Sequence, residues 1–88
     1  MAHEIRITPE GVRHLDKLPT SVRDAALVAL WGPISENPRR LGKPLVAELD
    51  GLFSARRGNY RIILSIDDVA NVVIVHRIHH RRSAYRRT

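Results

Sequence analysis

Hydrophobic positions change period twice along this chain. Ile5 and Ile7 alternate with Glu4, Arg6 and Thr8, which predicts a half-buried strand over residues 2–8. Thr8-Pro9 then reads as a helix N-cap followed by proline at the first helical position, where its missing N–H costs nothing. Val12, Leu15 and Leu18 put an apolar stripe on a short helix that Gly11 weakens and Pro19 ends. Thr20 or Ser21 supplies a cap for a second helix, in which Val22, Ala25, Ala26, Ala29 and Leu30 fall at helical spacing, with Trp31 beside them. The brief link between the two makes an antiparallel helical hairpin. Gly32-Pro33 kinks or interrupts the second helix, and Asn37 to Pro44 reads as a loop.

Beyond that loop the pattern turns to strands. Leu45 to Leu49 is a short strand or ordered lead-in, and Asp50-Gly51 a turn. Leu52 to Arg57 and Tyr60 to Ile66 are strands joined by a tight Gly58-Asn59 turn. A turn from Asp67 to Asn71 leads to the last strand, Val72 to Ile78. Val72-Val73-Ile74-Val75 is apolar on consecutive residues, the mark of a strand buried on both faces near a sheet's middle. From His79 onward the chain is too polar for a core. The order is β-α-α-β-β-β, an α+β fold. A helical hairpin covers one face of an antiparallel sheet, formed by the C-terminal meander with the N-terminal strand, and a basic tail follows. Residues 1–88 are one domain. Trp31 and Phe53 are assigned to its core, and Tyr60 to packing on the sheet.

Charge divides the chain in two. Residues 56–88 hold eight arginines (Arg56, Arg57, Arg61, Arg77, Arg81, Arg82, Arg86 and Arg87) against Asp67 and Asp68, whereas residues 1–55 balance seven cations with seven anions. The whole excess of +6 therefore sits in the last third. Arginine outnumbers lysine thirteen to two, and its planar, permanently charged fork fits phosphate oxygens and stacks on bases. One polyanion-facing surface follows, with RNA or DNA as its partner. Several arginines with Tyr85 suit single-stranded RNA, whose unpaired bases can stack on the phenol while guanidinium groups hold the phosphates. The opposing reading for Arg86 and Arg87 is a solvated terminus.

Other chemistry is thinly supported. With no cysteine there is no disulfide, thiolate metal site or cysteine nucleophile. His76, His79 and His80 have no acid beside them and lie among arginines that repel cations, so no metal or other cofactor is expected. Proton transfer suits these imidazoles better. His3 and His14 carry no signal. Phosphate-binding and nucleophile-elbow motifs are absent, and the acids Glu48, Asp50, Asp67 and Asp68 read as solvated turn residues. No apolar run approaches the ~20 residues that span a bilayer, so a cytoplasmic protein without membrane contact is expected.

Gly42-Lys43-Pro44-Leu45, Glu48-Leu49, the run Leu52 to Ile62 with its Arg-x-Gly-x-Tyr-Arg element, and the closing stretch His79-His80-Arg81-Arg82-Ser83-Ala84-Tyr85-Arg86 with its His-Arg-x-x-x-Tyr element together resemble the RelE/ParE toxin superfamily. Ile5-Arg6-Ile7-Thr8-Pro9 and Leu15 to Pro19 resemble that family's first strand and helix. The resemblance, strongest to the RelE branch, implies the toxin of a type II toxin–antitoxin system. Such a toxin is an endoribonuclease that cuts mRNA in the ribosomal A site through attack of the 2′-hydroxyl on the adjacent phosphorus. Its implied partners are a RelB-like antitoxin, the ribosome and mRNA, and operator DNA for the toxin–antitoxin complex. Arg61, Arg81 and Tyr85 match catalytic positions, and Arg56, Arg57, Arg77, His80 and Arg82 are assigned to RNA binding. Leu52 and Ser54 stand where RelE members often carry lysines, which leaves proton transfer to Tyr85 or, second, His80. The alternatives are a ParE-like inhibitor of DNA gyrase, and a basic module that binds nucleic acid with its antitoxin as a repressor.

Overall fold

Strand β1 (Glu4–Ile7) leads into helix α1 (Pro9–Lys17), and the junction is built as the sequence predicts. The Thr8 side chain accepts a hydrogen bond from the Gly11 N–H at 3.1 Å, with Pro9 at the first helical position. This computed structural model describes residues 2–45 and 51–80. Helix α2 (Thr20–Ala29) begins directly after Pro19, and neither Thr20 nor Ser21 caps it with a side-chain bond. It continues into a wide turn, Leu30–Ile34, where Gly32 leaves helical geometry at φ −112°, ψ −105°. Proline at 33 forces that departure, since its ring clashes with the carbonyl one turn back.

The segment expected to be a loop is ordered. Asn37 and Pro38 start a single helical turn, α3 (Pro38–Leu41), and β2 (Gly42–Pro44) then pairs with β3 (Phe53–Arg57). Composition concealed this because Pro serves here as a helix starter and Gly42 as an edge-strand residue, pressed against Phe53. Residues 46–50, which include most of the expected strand from Leu45, lie outside the described part of the chain.

Strands β3, β4 (Tyr60–Asp67) and β5 (Val72–His80) form the antiparallel meander, and the full sheet order is β1-β5-β4-β3-β2. In one respect the sheet differs from expectation: β1 runs parallel to β5, with Glu4 opposite Val72 and Ile7 opposite Val75, so the sheet is mixed. No hairpin joins these two strands, so no local turn imposes the antiparallel sense, and the long connection between them allows a parallel crossover. β5 is flanked on both sides over this stretch, and Val72, Val73 and Val75 are buried, as the continuous apolar run implies.

One sheet face carries Ala55, Tyr60, Ile62, Leu64, Val73, Val75 and Ile78 against Leu15, Leu18, Ala26, Ala29, Leu30 and Ile34 from the helical side. Each fully buried Leu or Ile there contributes about 1.5–3 kcal/mol. Tyr60 joins this core and Phe53 packs at its margin. Trp31 does not: it is 56% exposed, three residues after the exposed Val28 and so on the same outward stripe of the helix. No described helix is long and apolar enough to cross a membrane.

Candidate nucleic-acid interface

Directly opposed residues on paired strands project to the same face, so register decides which basic side chains meet. Arg56 on β3 opposes Arg61 on β4, which opposes His79 on β5. The next outward row runs Lys43, Ser54, Ile63, Arg77 across β2 to β5. Both rows alternate with the core-facing rows of Ala55, Ile62 and Ile78, and so lie on the face the helices leave open. With strands about 4.8 Å apart, Lys43, Arg56, Arg61, Arg77 and His79 stand within roughly 15 Å. Neither Arg56 nor Arg61 forms an ion pair with a carboxylate among the described residues, so these two guanidinium groups present positive charge suited to phosphate, while Arg77 is paired with Glu10.

An irregularity in β5 aims the last two of these residues. Arg77 opposes Ile63 and Val75 opposes Leu64, which leaves His76 as the extra residue of a bulge. The His76 ring lies 2.9 Å from the Ser65 hydroxyl. Simple alternation would put Val75, Arg77 and His79 on one face. The bulge lets Val75 stay in the core while Arg77 and His79 turn outward.

The outer edge of β5 changes partner at the same point. β1 accompanies it only to Val75, and α1 takes over from there. The Thr8 N–H donates to the Val75 carbonyl at 3.0 Å, and the Thr8 hydroxyl donates to the His76 carbonyl at 3.3 Å. The Ile78 N–H, which would otherwise be an unpaired edge donor, is accepted by His14 Nδ1 at 3.0 Å. The His14 and His79 rings then sit 5.9 Å apart, tilted by 43°. Glu10 Oε2 lies 3.5 Å from Arg77 Nε and 3.9 Å from His14 Nε2. Partial burial, reinforced by His14, Arg77 and Arg61 and opposed by Glu10, pulls the His79 pKa below the ordinary imidazole value.

The opposite face receives Arg57 and His80, both paired with the core residue Tyr60. Arg57 lines a shallow cleft of about 480 Å³ together with Asp24, Val28, Pro33 and Tyr60. Burial raises the Tyr60 phenol pKa, against the opposing pull of the Arg57 guanidinium. This phenol therefore stays protonated and structural.

A sequence model described as the ParE toxin of type II toxin–antitoxin systems (parDE) matches residues 5–85. The chain belongs to this toxin family. Toxin RelG of Mycobacterium tuberculosis is 44% identical over 87 residues, 99% of this chain and 100% of that one. Toxin RelE of the same organism is 42% identical over 84 residues, 96% of this chain and 87% of that one. Among solved structures, the toxin–antitoxin complex RelBE2 from M. tuberculosis matches with a TM-score of 0.91 at 42% identity, covering 92% of this chain and 100% of that chain. The intact Escherichia coli RelBE complex matches at TM-score 0.74 and 20% identity, over 90% of this chain and 96% of that chain, a likeness of fold alone. The chain is thus a type II toxin of the RelBE kind.

In this toxin, Arg56, Arg61 and Arg77 come together on the open face, whereas Arg57 and His80 stand on the helical side. Arg81, Arg82 and Tyr85 lie outside the described residues. Sequence reasoning gave no role to Lys43, Glu10 or His14, and named His79 only as one of three histidines suited to proton transfer. The i, i+4 spacing of Glu10 and His14 on α1 and the i, i+2 spacing of Arg77 and His79 were visible, but only the register shows that the two pairs meet.

Proposed function

We propose that this toxin is a ribosome-dependent endoribonuclease that cleaves mRNA in the A site. The observation that carries the reading is the row Arg56–Arg61–His79 on the face opposite the helices, flanked by Lys43 and Arg77. It sits on a chain 42–44% identical to toxins named RelE and RelG. Cleavage needs no metal: the 2′-hydroxyl attacks the adjacent phosphorus, the P–O5′ bond breaks, and a cyclic phosphate and a free 5′-hydroxyl result. Charge builds on the phosphorane oxygens, where preorganised donors lower the barrier by about 3–4 kcal/mol each. Arg61 and Arg81 fill that role. Arginine is a poor proton carrier because its pKa exceeds about 12, so protons pass through other groups, Tyr85 among them. Arg56, Arg77 and Arg82 hold flanking phosphates, and Arg57 and His80 contact RNA only where it wraps round the strand end.

The partner under this reading is a RelB-like antitoxin that covers the cationic face, as the solved relatives carrying RelB suggest. Ribosomes place the activity in the cytoplasm, and the toxin–antitoxin pair binds its operator DNA. The test is incubation of purified toxin with translating ribosomes, mapping mRNA 5′ ends. Cuts at A-site codons that fall at least 100-fold in Arg61→Ala support the reading. Because the matching family description names ParE, the rival is gyrase inhibition. Intact mRNA with arrested supercoiling would establish that rival instead.

A further inference from the structure

Of the three histidines near the end of β5, one occupies a place that the reaction needs filled. His79 is in register with Arg61, the proposed phosphate ligand, so their Cβ atoms are about 5 Å apart on the same face. Its ring lies near that of His14 on α1, 5.9 Å away between centroids and tilted by 43°. His14 is itself fixed. Its Nδ1 accepts the Ile78 N–H, so the neutral ring carries its proton on Nε2, toward Glu10. Two links follow from one helix: α1 clamps the backbone immediately before His79 and lays an imidazole beside the ring.

Resting on the nuclease reading above, we propose that His79 is the proton acceptor for the 2′-hydroxyl, with His14 as the residue that positions it. The His79 ring takes the 2′-hydroxyl proton as O2′ bonds to phosphorus. The P–O5′ bond then breaks, its electron pair goes to O5′, and O5′ receives a proton from water. His79 returns its proton to solvent, and the RNA ends as a cyclic phosphate and a 5′-hydroxyl with no net change in composition. His80, one residue on, cannot share the task because the pleat turns it toward Tyr60 on the opposite face.

The titratable and charged groups facing His79 are Glu10 and His14 from α1, Arg61 from β4 and Arg77 on its own strand, with Arg56 one strand further. The cations outweigh Glu10 and, with partial burial, favour the neutral, proton-accepting ring at neutral pH. This also separates the proton acceptor from the phosphate ligands, which must stay charged throughout.

The experiment measures single-turnover cleavage on programmed ribosomes from pH 5 to 8 for the wild type, His79→Gln and His14→Gln. In the wild type the rate should rise tenfold per pH unit at the acid end and level off below the usual imidazole pKa of about 6.5. His79→Gln should lose 10²–10⁴-fold and the acid limb with it. His14→Gln should lose less, about tenfold, keep the limb and shift its midpoint. A second substrate carries sulfur in place of O5′, a leaving group that needs no proton. The His79→Gln defect should persist on it, because a base is still required. Recovery there would overturn the assignment, as would a flat wild-type profile or a His79→Gln rate within threefold of wild type. The wild-type profile decides the matter even where a variant fails to fold. Absence of any cleavage by the wild type overturns the nuclease reading, and this proposal with it.

Discussion

Replacing Gly11 by alanine probes how closely α1 is seated on the sheet. A methyl built at that position falls 2.8 Å from Ile7 Cγ2 and 3.0 Å from the Val75 carbonyl oxygen, where ordinary contact begins at 3.4 Å. Neither neighbour gives way cheaply. Ile7 is β-branched and held in register with Val75, and the Val75 oxygen already accepts the Thr8 N–H. Overpacking of this kind costs about 1–3 kcal/mol. Alanine returns about 0.8–1 kcal/mol over glycine inside a helix. The net loss is about 1 kcal/mol, a fall of roughly 4–8 °C in Tm for a domain of this size. Thermal denaturation followed by circular dichroism reads the first consequence. Amide exchange reads the second: a lifted α1 draws His14 off the Ile78 N–H, which should then exchange faster. A Tm equal to or above wild type, with Ile78 exchange unchanged, would refute the close seating.

Thr8→Ala should cost about 1–2 kcal/mol in urea titrations, since it removes both the cap on Gly11 and the bond to the His76 carbonyl, while Thr8→Ser keeps most of that stability. The Asp68 carboxyl is held below its usual pKa chiefly by hydrogen bonding to Arg39, with His3 adding to it. Its contribution is therefore present above the unfolded value of about 3.9 and is lost as pH falls through the lower folded one. Arg39→Gln should flatten the acid side of stability against pH, and an unchanged slope would show the pair to be inert. Under the nuclease reading, Arg56→Ala should lower cleavage about tenfold and Arg57→Ala less than threefold, because the two occupy opposite faces. Equal losses would contradict that division.

Local chemistry carried most of the fold. The Thr8-Pro9 start, the kink at Gly32-Pro33 and the tight turn at Gly58, which has φ +57°, each follow from backbone preferences of one or two residues. What escaped was set by tertiary contact. The parallel sense of β1 depends on β5, far along the chain. Trp31 is the exception: it follows the apolar stripe in sequence, but its i, i+3 spacing from Val28 puts it on the exposed side of the helix. Gly11 looks like a helix weakness by propensity, yet only a residue without Cβ lets α1 approach Ile7 and Val75 so closely. Glycine's small size outweighs its helix propensity at that one contact.

The candidate site was legible in composition and hidden in arrangement. Clusters of basic residues along a strand are not clusters in space, because successive side chains point to opposite faces. The doublets Arg56-Arg57 and His79-His80 are therefore each divided between the open face and the helical side. What assembles the open face is cross-strand register, and register at β5 depends on the bulge at His76, a feature with no signature in the residues themselves. Shifting that strand end by one residue would put His80 opposite Arg61 and turn His79 inward, opposite the core residue Ile62. The His14 bond to the Ile78 N–H opposes such a slip, since it satisfies that one donor on an edge β1 no longer covers. The same hydrogen bond thus secures both the sheet edge and the choice of which histidine faces the phosphate ligands. This ties the stability of α1 on the sheet to the chemistry on its far side.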